Sequence, residues 1–483
     1  MHKYLALAPL ALLAACTSGP DFAPPAPPPP QASYGPDGAG RAALGEGPGQ
    51  RWWTAFGSAE LDALVDRAIA NNNSLAASNA TLERARAHLR AVVGKRLPQV
   101  DANARVSRQA INLAGFGFDE IAGNGPAVAN PELSLYTVGG GVTYDLDLFG
   151  RNRRAVEQAV AEAEAEQRKT EAAHLVIAGR VVQQVFAIAA LDERIATQQA
   201  LLAEDQRNVS LAQSRQRAGV GTLVEVLSAQ GQLSEDRGSL PTLEQQRAEA
   251  RTMLAILIGV SPAELGAADF SLDRFALPDQ VPVALPAALV RKRPDILEAE
   301  SRLHAATAAI GIATANLYPN VTIGATTAQS SPVLGSLFNS RYSGFDIFAG
   351  LTAPIFHGGT LKAEKRGAEA AARASAATYR QVVLEAFMQV SNLLTALETD
   401  GRSLAAQQES MQIAERSLHL SRRSFEVGNS GVLQVLDASR SYQRARLALA
   451  EARSRQYLNI ARLYVATAGG WTADPPQPAP PAS

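Results

Sequence analysis

Four long stretches of the chain carry apolar residues at the three-and-four spacing of an α-helix. They cover roughly 150–217, 222–258, 358–426 and 432–468, and the longest would measure about 100 Å at 1.5 Å per residue. Alanine and valine dominate the apolar positions, as at Val156, Val160 and Ala163, and small residues favour closely packed coiled coils. The pattern predicts two long helical hairpins, each folding back on itself.

Four shorter stretches, at about 98–111, 134–148, 319–330 and 342–356, alternate between apolar and polar residues, which is the period of a β-strand. In the first stretch one face carries Val100 and Val106, and the other carries Asp101 and Arg105. Alternation of this kind fits a sheet packed on a soluble core. It fits equally a strand with one face toward lipid and the other toward a water-filled lumen.

The number of strands bears on that choice. Only helices and barrels without open edges are stable in lipid, and four strands are too few to enclose a water-filled lumen. A membrane sheet of this size therefore requires several copies of the chain. Cyclic symmetry is the usual arrangement of identical subunits, and three copies would supply twelve strands.

One turn occurs twice. The sequence GVGTLVEVLSA from Gly219 returns as GNSGVLQVLDA from Gly428, at an offset of 209 residues. The surrounding elements repeat as well. The first repeat, 51–275, and the second, 276–471, each predict a helix, two strands and a helical hairpin, with turns at about 218–222 and 427–431. Duplicated hairpins would let three chains form a pseudo-sixfold ring.

The N-terminal segment indicates secretion and anchoring. Residues 1–15 have the basic residue, short apolar run and small residues of a signal peptide. The tetrapeptide LAAC resembles the lipobox of bacterial lipoproteins, which makes Cys16 the expected lipid attachment site. Thr17 follows where Asp favours retention in the inner membrane, so the resemblance implies the outer membrane. Residues 16–50 are predicted to be a Pro/Gly-rich linker, and 472–483 a flexible tail.

Composition excludes several classes of function. The net charge of −1 over 483 residues leaves no positive excess for nucleic acid. Six scattered histidines and one cysteine offer no zinc ligand set, and no nucleophile motif or phosphate loop appears. We therefore expect no enzyme activity, metal site or cofactor. The four methionines argue against a dedicated soft-metal relay, although metal cargo stays open.

Three motifs and the two turns carry a resemblance to a known family. The motifs are WWTAFGSAELDALVDRAIANN from Trp52, RKRPDILEAESRLHAA from Arg291 and LYPNVT from Leu317. With them, the chain resembles the lipid-anchored outer-membrane factors, the TolC-like exit ducts of resistance-nodulation-division tripartite efflux pumps. The resemblance implies a homotrimer with a twelve-stranded barrel in the outer membrane and a coiled-coil α-barrel extending far into the periplasm. It also implies two protein partners, a periplasmic adaptor and an inner-membrane transporter that largely chooses the substrate.

Local roles follow for the motif residues. Trp52, Trp53 and Phe56 are expected to be packing anchors, and RPDI is expected to begin a helix, with Pro294 in its first turn and Asp295 complementing its N-terminus. The resemblance implies that the hairpin tips dock the adaptor, through Gly219, Val220, Gly221, Gly428 and Gly431. The glycines are expected to supply turn conformations that side chains would obstruct.

The resemblance also implies a channel constriction at the hairpins. The family has two acidic positions in the second hairpin; here the first is Gln434 and the second is Asp437, and Glu225 matches in the first hairpin. A trimer would then carry rings of Glu225 and Asp437 that select cations, whereas Glu157 and Glu171, away from the turn, should contribute much less. The alternative is that these carboxylates are solvated residues on helix faces.

Two other functions stay open at this point. A TolC-like duct for type I protein secretion would have the same architecture. A peripheral coiled-coil scaffold tethered by Cys16 would explain the helices and the lipid, but not four strands with polar faces.

Overall fold

The computed structural model describes residues 17–26, 34, 42–45, 47–110, 132–266, 270–278 and 280–468. Three predicted features lie outside these residues: the signal peptide at 1–15, the lipid attachment site Cys16 and the tail at 472–483.

The described residues form six strands, which we number in chain order: β1 (Ala42–Gly45), β2 (Gln99–Ala110), β3 (Glu132–Asp145), β4 (Val281–Ala284), β5 (Asn320–Ser331) and β6 (Ser343–Thr352). Strands β1 and β4 pair in parallel. The other four form an antiparallel sheet in the order β2-β3-β5-β6. This larger sheet comes from the four alternating stretches, and β2 and β6 are its edges.

The register of the larger sheet places the apolar residues of all four strands on one face. Val100 pairs with Val142 on the neighbouring strand, and Ile323 pairs with Ala349. The face is not covered by the chain's own core, because side chains such as Ile347 remain 76% exposed. A solvent-exposed apolar sheet face of this extent marks a surface that contacts lipid or another protein.

Phe348 is an exception to the alternation. The register puts it opposite Gly324, on the polar face. A Cβ atom added at Gly324 would lie 2.6 Å from Cζ of Phe348. The phenyl ring therefore occupies the space that the glycine leaves free, which protects the glycine backbone from solvent.

The described residues also form eight α-helices: α1 (Ala59–Asn71), α2 (Asn73–Gly94), α3 (Arg151–Arg217), α4 (Leu223–Leu257), α5 (Pro286–Lys292), α6 (Pro294–Ala315), α7 (Thr360–Glu426) and α8 (Val432–Thr467). Helices α3 and α7 have 67 residues each. One window of α3 is apolar and long enough to cross a membrane, but 56% of that window is buried inside the chain. Such burial is typical of a helix within a folded core.

The main hydrophobic core surrounds a short 3-10 helix, Trp52–Phe56. Trp52 stacks on Tyr464 with ring centroids 5.4 Å apart. Phe56 is fully buried and meets Phe186 edge to face at 4.8 Å. Trp52, Trp53 and Phe56 thus pack in the core, where burying each aromatic ring contributes several kcal/mol.

The RPDI motif begins helix α6 at Pro294. Asp295 accepts hydrogen bonds from Nε and Nη2 of Arg293 at 2.9 and 2.8 Å. Arg293 also donates to the carbonyl oxygen of Ala466 at 3.0 Å and to Oε1 of Gln389 at 2.8 Å. Asp295 therefore positions an arginine that ties the helix start to α7 and α8.

Part of the segment 16–50, predicted to be a Pro/Gly-rich linker, contacts the body of the chain. Residues 42–45 form strand β1 on β4, and the hydroxyl of Tyr34 donates to the carbonyl oxygen of Ala284 at 2.5 Å. Pro and Gly prevent this segment from building a core of its own, but they leave backbone groups and single side chains free to bind the body.

The chain divides into two compact units, and each takes segments from both repeats. The first contains the described residues of Met1–Pro24, Arg84–Ala163 and Ser301–Ala376, and therefore the antiparallel sheet. The second contains those of Pro25–Glu83, Glu164–Glu300 and Ala377–Ser483, and therefore both hairpin turns. The repeats 51–275 and 276–471 are not separate compact domains, because each supplies strands to one unit and a hairpin to the other.

Candidate functional site

The two hairpin turns have the same backbone structure. In each, a glycine in the left-handed region ends the long helix, with φ of 74° at Gly219 and 80° at Gly428. In each turn two backbone N–H groups donate back to carbonyl oxygens at the end of the long helix. In the first turn Gly219 donates to Gln216 (3.0 Å) and Val220 donates to Arg215 (3.0 Å). In the second turn Gly428 donates to Phe425 (3.0 Å) and Asn429 donates to Ser424 (2.9 Å). This is the glycine-terminated cap of an α-helix.

The four predicted turn glycines have different structural roles. Gly219 and Gly428 adopt a positive φ that other residues rarely adopt. At Gly221 a Cβ atom would lie 2.9 Å from Cβ of Arg215. The expectation is wrong for Gly431, because its φ is −83° and the space around it is open.

Both tips expose apolar side chains. In the first hairpin Val220 is 65% exposed. The exposed apolar residues near the two turns are Val220, Leu223, Val224 and Leu227 in the first hairpin and Val427 and Leu433 in the second. Apolar side chains concentrated at a helix tip are typical of a surface that binds another protein.

Glu225 has a structural role at the start of helix α4. Its backbone N–H donates to Oγ1 of Thr222 at 3.3 Å, and its carboxylate accepts from the backbone N–H of Thr222 at 3.4 Å. This reciprocal pair is a capping box. The half-buried carboxylate is thus engaged at the helix N-terminus, which the sequence analysis did not foresee although Thr222 and Glu225 have the required spacing.

Gln434 and Asp437 both lie on the exposed side of helix α8. The neighbouring Val435 and Leu436 are buried, and Leu436 packs into the apolar cluster of the first hairpin. Within the described part of the chain the side chains of Gln434 and Asp437 have no hydrogen-bond or ion-pair partner. Asp437 is therefore the one predicted constriction carboxylate that is not used for local structure.

A buried polar cluster joins the two hairpins behind this surface. Asp205 on α3 is only 2% exposed, and its Oδ2 atom has no hydrogen-bond partner among the described residues. Asp236 of α4 and Gln443 of α8 lie close enough to affect the pKa of its carboxyl. Gln232 donates to Oδ2 of Asp236 at 2.5 Å and accepts from Nε of Arg440. Burial raises the pKa of the Asp205 carboxyl to about 7, and Asp236 adds to the shift while Arg440 opposes it.

Two further contacts link α3 to α7 close to the turns. The guanidinium of Arg215 lies over the ring of Phe425, 4.7 Å from its centroid, and the same side chain donates to the carbonyl oxygen of Val220 at 3.2 Å. Arg422 forms an ion pair with Glu204. These charged and polar contacts add to the small apolar clusters that join the tips.

Asp205 was not predicted as a site residue, although its position in the sequence carries a signal. Leu201, Asp205, Asn208 and Ala212 follow the helical spacing of the buried side of α3. An acidic residue at a position that the period assigns to the core is an expensive group to bury without partners. The residues that affect the Asp205 carboxyl come from α4 and α8, and their proximity is not visible in the spacing of α3.

Among the described residues no group of three or more His, Cys, Asp or Glu side chains is placed to hold a metal ion. What the site offers is a pair of apolar tips, an exposed carboxylate and a buried polar cluster.

Several known proteins are similar to this chain over most of its length. The model of the family described as outer membrane efflux protein matches residues 64–260 and 285–469. The chain is 30% identical over 482 residues to the pyoverdine export outer membrane protein OpmQ of Pseudomonas putida, with 99% of each chain covered. It is 30% identical over 421 residues to the outer membrane protein OprJ of Pseudomonas aeruginosa, with 87% of this chain and 86% of OprJ covered. The solved outer-membrane channel OprN superimposes with a TM-score of 0.85 at 26% identity, covering 94% of this chain and 100% of that structure.

Proposed function

The chain belongs to the outer membrane efflux protein family and is an outer-membrane efflux channel, and we propose that three copies close into a single duct that serves a tripartite pump. The observation that carries the proposal is the exposed apolar face of the four-stranded sheet. A face with Phe345 at 83% and Ile347 at 76% exposure requires lipid or protein against it.

The edges of the sheet support closure by several copies. Strand β2 is paired only with β3, and β6 only with β5, among the described residues. Unpaired backbone N–H and C=O groups at such edges are costly in a membrane. Pairing of β6 with β2 of the next copy removes both edges and keeps the strands antiparallel. Twelve strands would form a barrel wide enough for an aqueous lumen.

The hairpin tips fit the role of a docking surface for a periplasmic adaptor. Their exposed apolar side chains, including Val220 and Val427, lie on turns that have the same backbone hydrogen bonds. Two equivalent tips per chain would give three copies six similar sites, which a ring-shaped adaptor can engage. An inner-membrane transporter of the resistance-nodulation-division type would complete the pump, and Cys16 would carry the lipid anchor.

A ring of Asp437 is proposed as the selective constriction. Its carboxylate is exposed and unpaired within the described chain, so three copies facing a narrow lumen would concentrate cations there. Gln434 would contribute no charge, and Glu225 is held in the capping box of Thr222. We therefore assign the main electrostatic role to Asp437 and a smaller one to Glu225.

Reconstituted channels test this assignment. The change Asp437→Asn should lower the cation-over-anion preference measured from the reversal potential in a salt gradient. The matched control is Glu409→Gln, which removes the same charge from an exposed position of α7 far along the chain from the turn. Equal shifts for both variants, or none for Asp437→Asn, would return Asp437 to the status of a solvated surface residue.

Glu157 and Glu171, which are still expected to contribute much less to selectivity, are unsuitable as controls because both are paired. Glu157 pairs with Arg154 at 2.6 Å and contacts His304 at 3.1 Å. Glu171 is buried beside Arg168 at 3.0 Å. Removing either charge would break an ion pair, with Arg154 or with Arg168, and could disturb local structure as well as charge.

The proposed cargo is a small molecule. OpmQ of Pseudomonas putida, the relative matched over 99% of its length, is named for export of pyoverdine. We propose that this chain passes cargo of comparable size without altering it. Susceptibility and secretion profiles of a deletion strain test the assignment. Loss of a secreted polypeptide, with unchanged export of small molecules, would favour a protein secretion duct instead.

A further inference from the structure

We propose that Arg154 and Gly311 form a docking site for the chain's own segment from Thr17 to Phe22, and that this docking fixes the lipid-bearing end of the chain beside the base of the sheet. The inference rests on the proposed lipid anchor at Cys16. Every residue that carries it belongs to the first compact unit.

Three of the four hydrogen bonds of the Arg154 side chain go to the segment. Its side chain is only 5% exposed. Nε donates to the carbonyl oxygen of Ser18 at 3.1 Å, and Nη2 donates to the carbonyl oxygen of Gly19 at 3.3 Å and to Oδ1 of Asp21 at 2.7 Å. The remaining contact, from Nη1, is to Glu157 at 2.6 Å.

The segment is needed to satisfy the donors of the buried Arg154 guanidinium. A guanidinium buried to this degree is stable only when its donors are satisfied. Two of its acceptors are backbone carbonyl groups of the segment, so their positions depend on the path of the chain and not on one side chain. Without the segment, Arg154 would keep Glu157 as its counterion but would lose three of its four hydrogen bonds.

The backbone of the segment fits closely against helix α6. Gly19 has a φ of +86°, and a Cβ atom added there would lie 2.5 Å from Cα of Gly311. A Cβ atom added at Gly311 would in turn lie 2.7 Å from Cγ of Arg154. Two glycines thus allow the segment, the helix and the arginine to meet at distances that any side chain would prevent.

Contacts at both ends of the segment extend this site. The backbone N–H of Ser18 donates to the carbonyl oxygen of Phe149 at 3.1 Å. The ring of Phe22 stacks on His304 with centroids 4.3 Å apart, and His304 contacts Glu157. Hydrogen bonding, ring stacking and close glycine packing all select the same short peptide.

The position of the docking site determines where the lipid anchor would begin. Phe149 lies in the turn between strand β3 and helix α3, and the preceding Leu146 N–H donates to the carbonyl oxygen of Val321 on β5 at 3.0 Å. Cys16 is one peptide unit before Thr17, a distance of about 3.8 Å between Cα atoms. Acyl chains on Cys16 would therefore start at the base of the sheet instead of at the end of a free tether.

The docking itself is tested by hydrogen exchange in the purified full-length protein. The change Gly19→Ala blocks close approach without altering the helical body, and Arg154→Gln removes the donors. We expect the amide of Ser18 to exchange at least tenfold faster in both variants than in the wild type. The control is Arg153→Gln, whose side chain pairs with Asp147 at 3.8 Å, and which should exchange as the wild type does. Unchanged exchange in Gly19→Ala would overturn the docking site.

The coupling to the lipid is tested by a double-mutant comparison in cells. Gly19→Ala should lower the amount of membrane-inserted oligomer several-fold in the acylated protein, and should cause little further loss in a Cys16→Ala background. Equal losses in both backgrounds would show a role in local stability alone and would overturn the positioning role. The intact mass of the N-terminal peptide reports acylation separately, and conductance of the wild type reports channel formation, so failure of the proposed function would be seen as such.

Discussion

The buried carboxyl of Asp205 should make the packing of the two hairpins depend on pH. Its pKa is raised to about 7 by burial and by Asp236, against about 3.9 in an unfolded chain. A carboxyl with a raised folded pKa contributes stability that is fully present below about pH 4 and is lost as the pH rises through about 7. The charged groups that face it are Asp236 on α4 and Arg440 on α8.

The size of the effect follows from the two pKa values. Between pH 5 and pH 8 a single carboxyl of this kind loses about 2–3 kcal/mol of stabilisation, roughly a 30- to 150-fold change in the local opening equilibrium. The change Asp205→Asn keeps the shape of the side chain and removes the titration. We therefore expect the variant to lose most of this pH dependence and to hold the hairpins more firmly at pH 8.

Hydrogen exchange of peptides from the hairpin tips measures the effect, after normalisation to an unstructured peptide at each pH. The wild type should open progressively more above pH 6, whereas Asp205→Asn should change little. Glu409→Gln, at an exposed position, should keep the wild-type dependence. The reasoning is refuted if Asp205→Asn shows the same normalised pH dependence as the wild type.

Two further predictions concern the turns and the core. Gly219→Ala should destabilise the first hairpin by about 1 kcal/mol, because Gly219 has a positive φ. Gly431→Ala should be within about 0.5 kcal/mol of neutral, because Gly431 has a φ of −83° and lies in open space. Local hydrogen exchange compares the two variants, and equal effects would contradict the turn geometry. Phe56→Ala, at a fully buried position, should cost about 3–5 kcal/mol, measured as a lower urea midpoint, and an unchanged midpoint would contradict its role in the core.

The regular parts of the fold could be predicted because they depend on local periodicity. The alternation that places Val100 and Asp101 on opposite faces determines which side of strand β2 is apolar. The three-and-four spacing of apolar residues determines the long helices. The doubled turn could be predicted from glycines at one offset, since Gly219 and Gly428 share a conformation that few other residues adopt. The period-2 pattern also explains why the apolar sheet face was expected.

The remaining features depend on contacts between distant parts of the chain. Asp205 is buried by residues of α4 and α8, which its own helix does not reveal. The segment at Gly19 is composed like a linker, and only Arg154 and Gly311, far along the chain, make it a docked peptide. Glu225 is different, because its capping box with Thr222 could have been predicted from the spacing of the two residues, although it was not.

Cross-linking across the open sheet edges tests the central claim, closure of the channel by three copies, most directly. One cysteine would replace Asn103 on edge strand β2, and a second would be moved along edge strand β6 from Gly344 to Gly350, in a Cys16→Ala background that has no other cysteine. The account predicts that the best pair gives covalent dimers and trimers in the membrane and nothing larger. Absence of cross-links at every position, or a ladder that continues beyond three, would contradict a closed trimeric barrel.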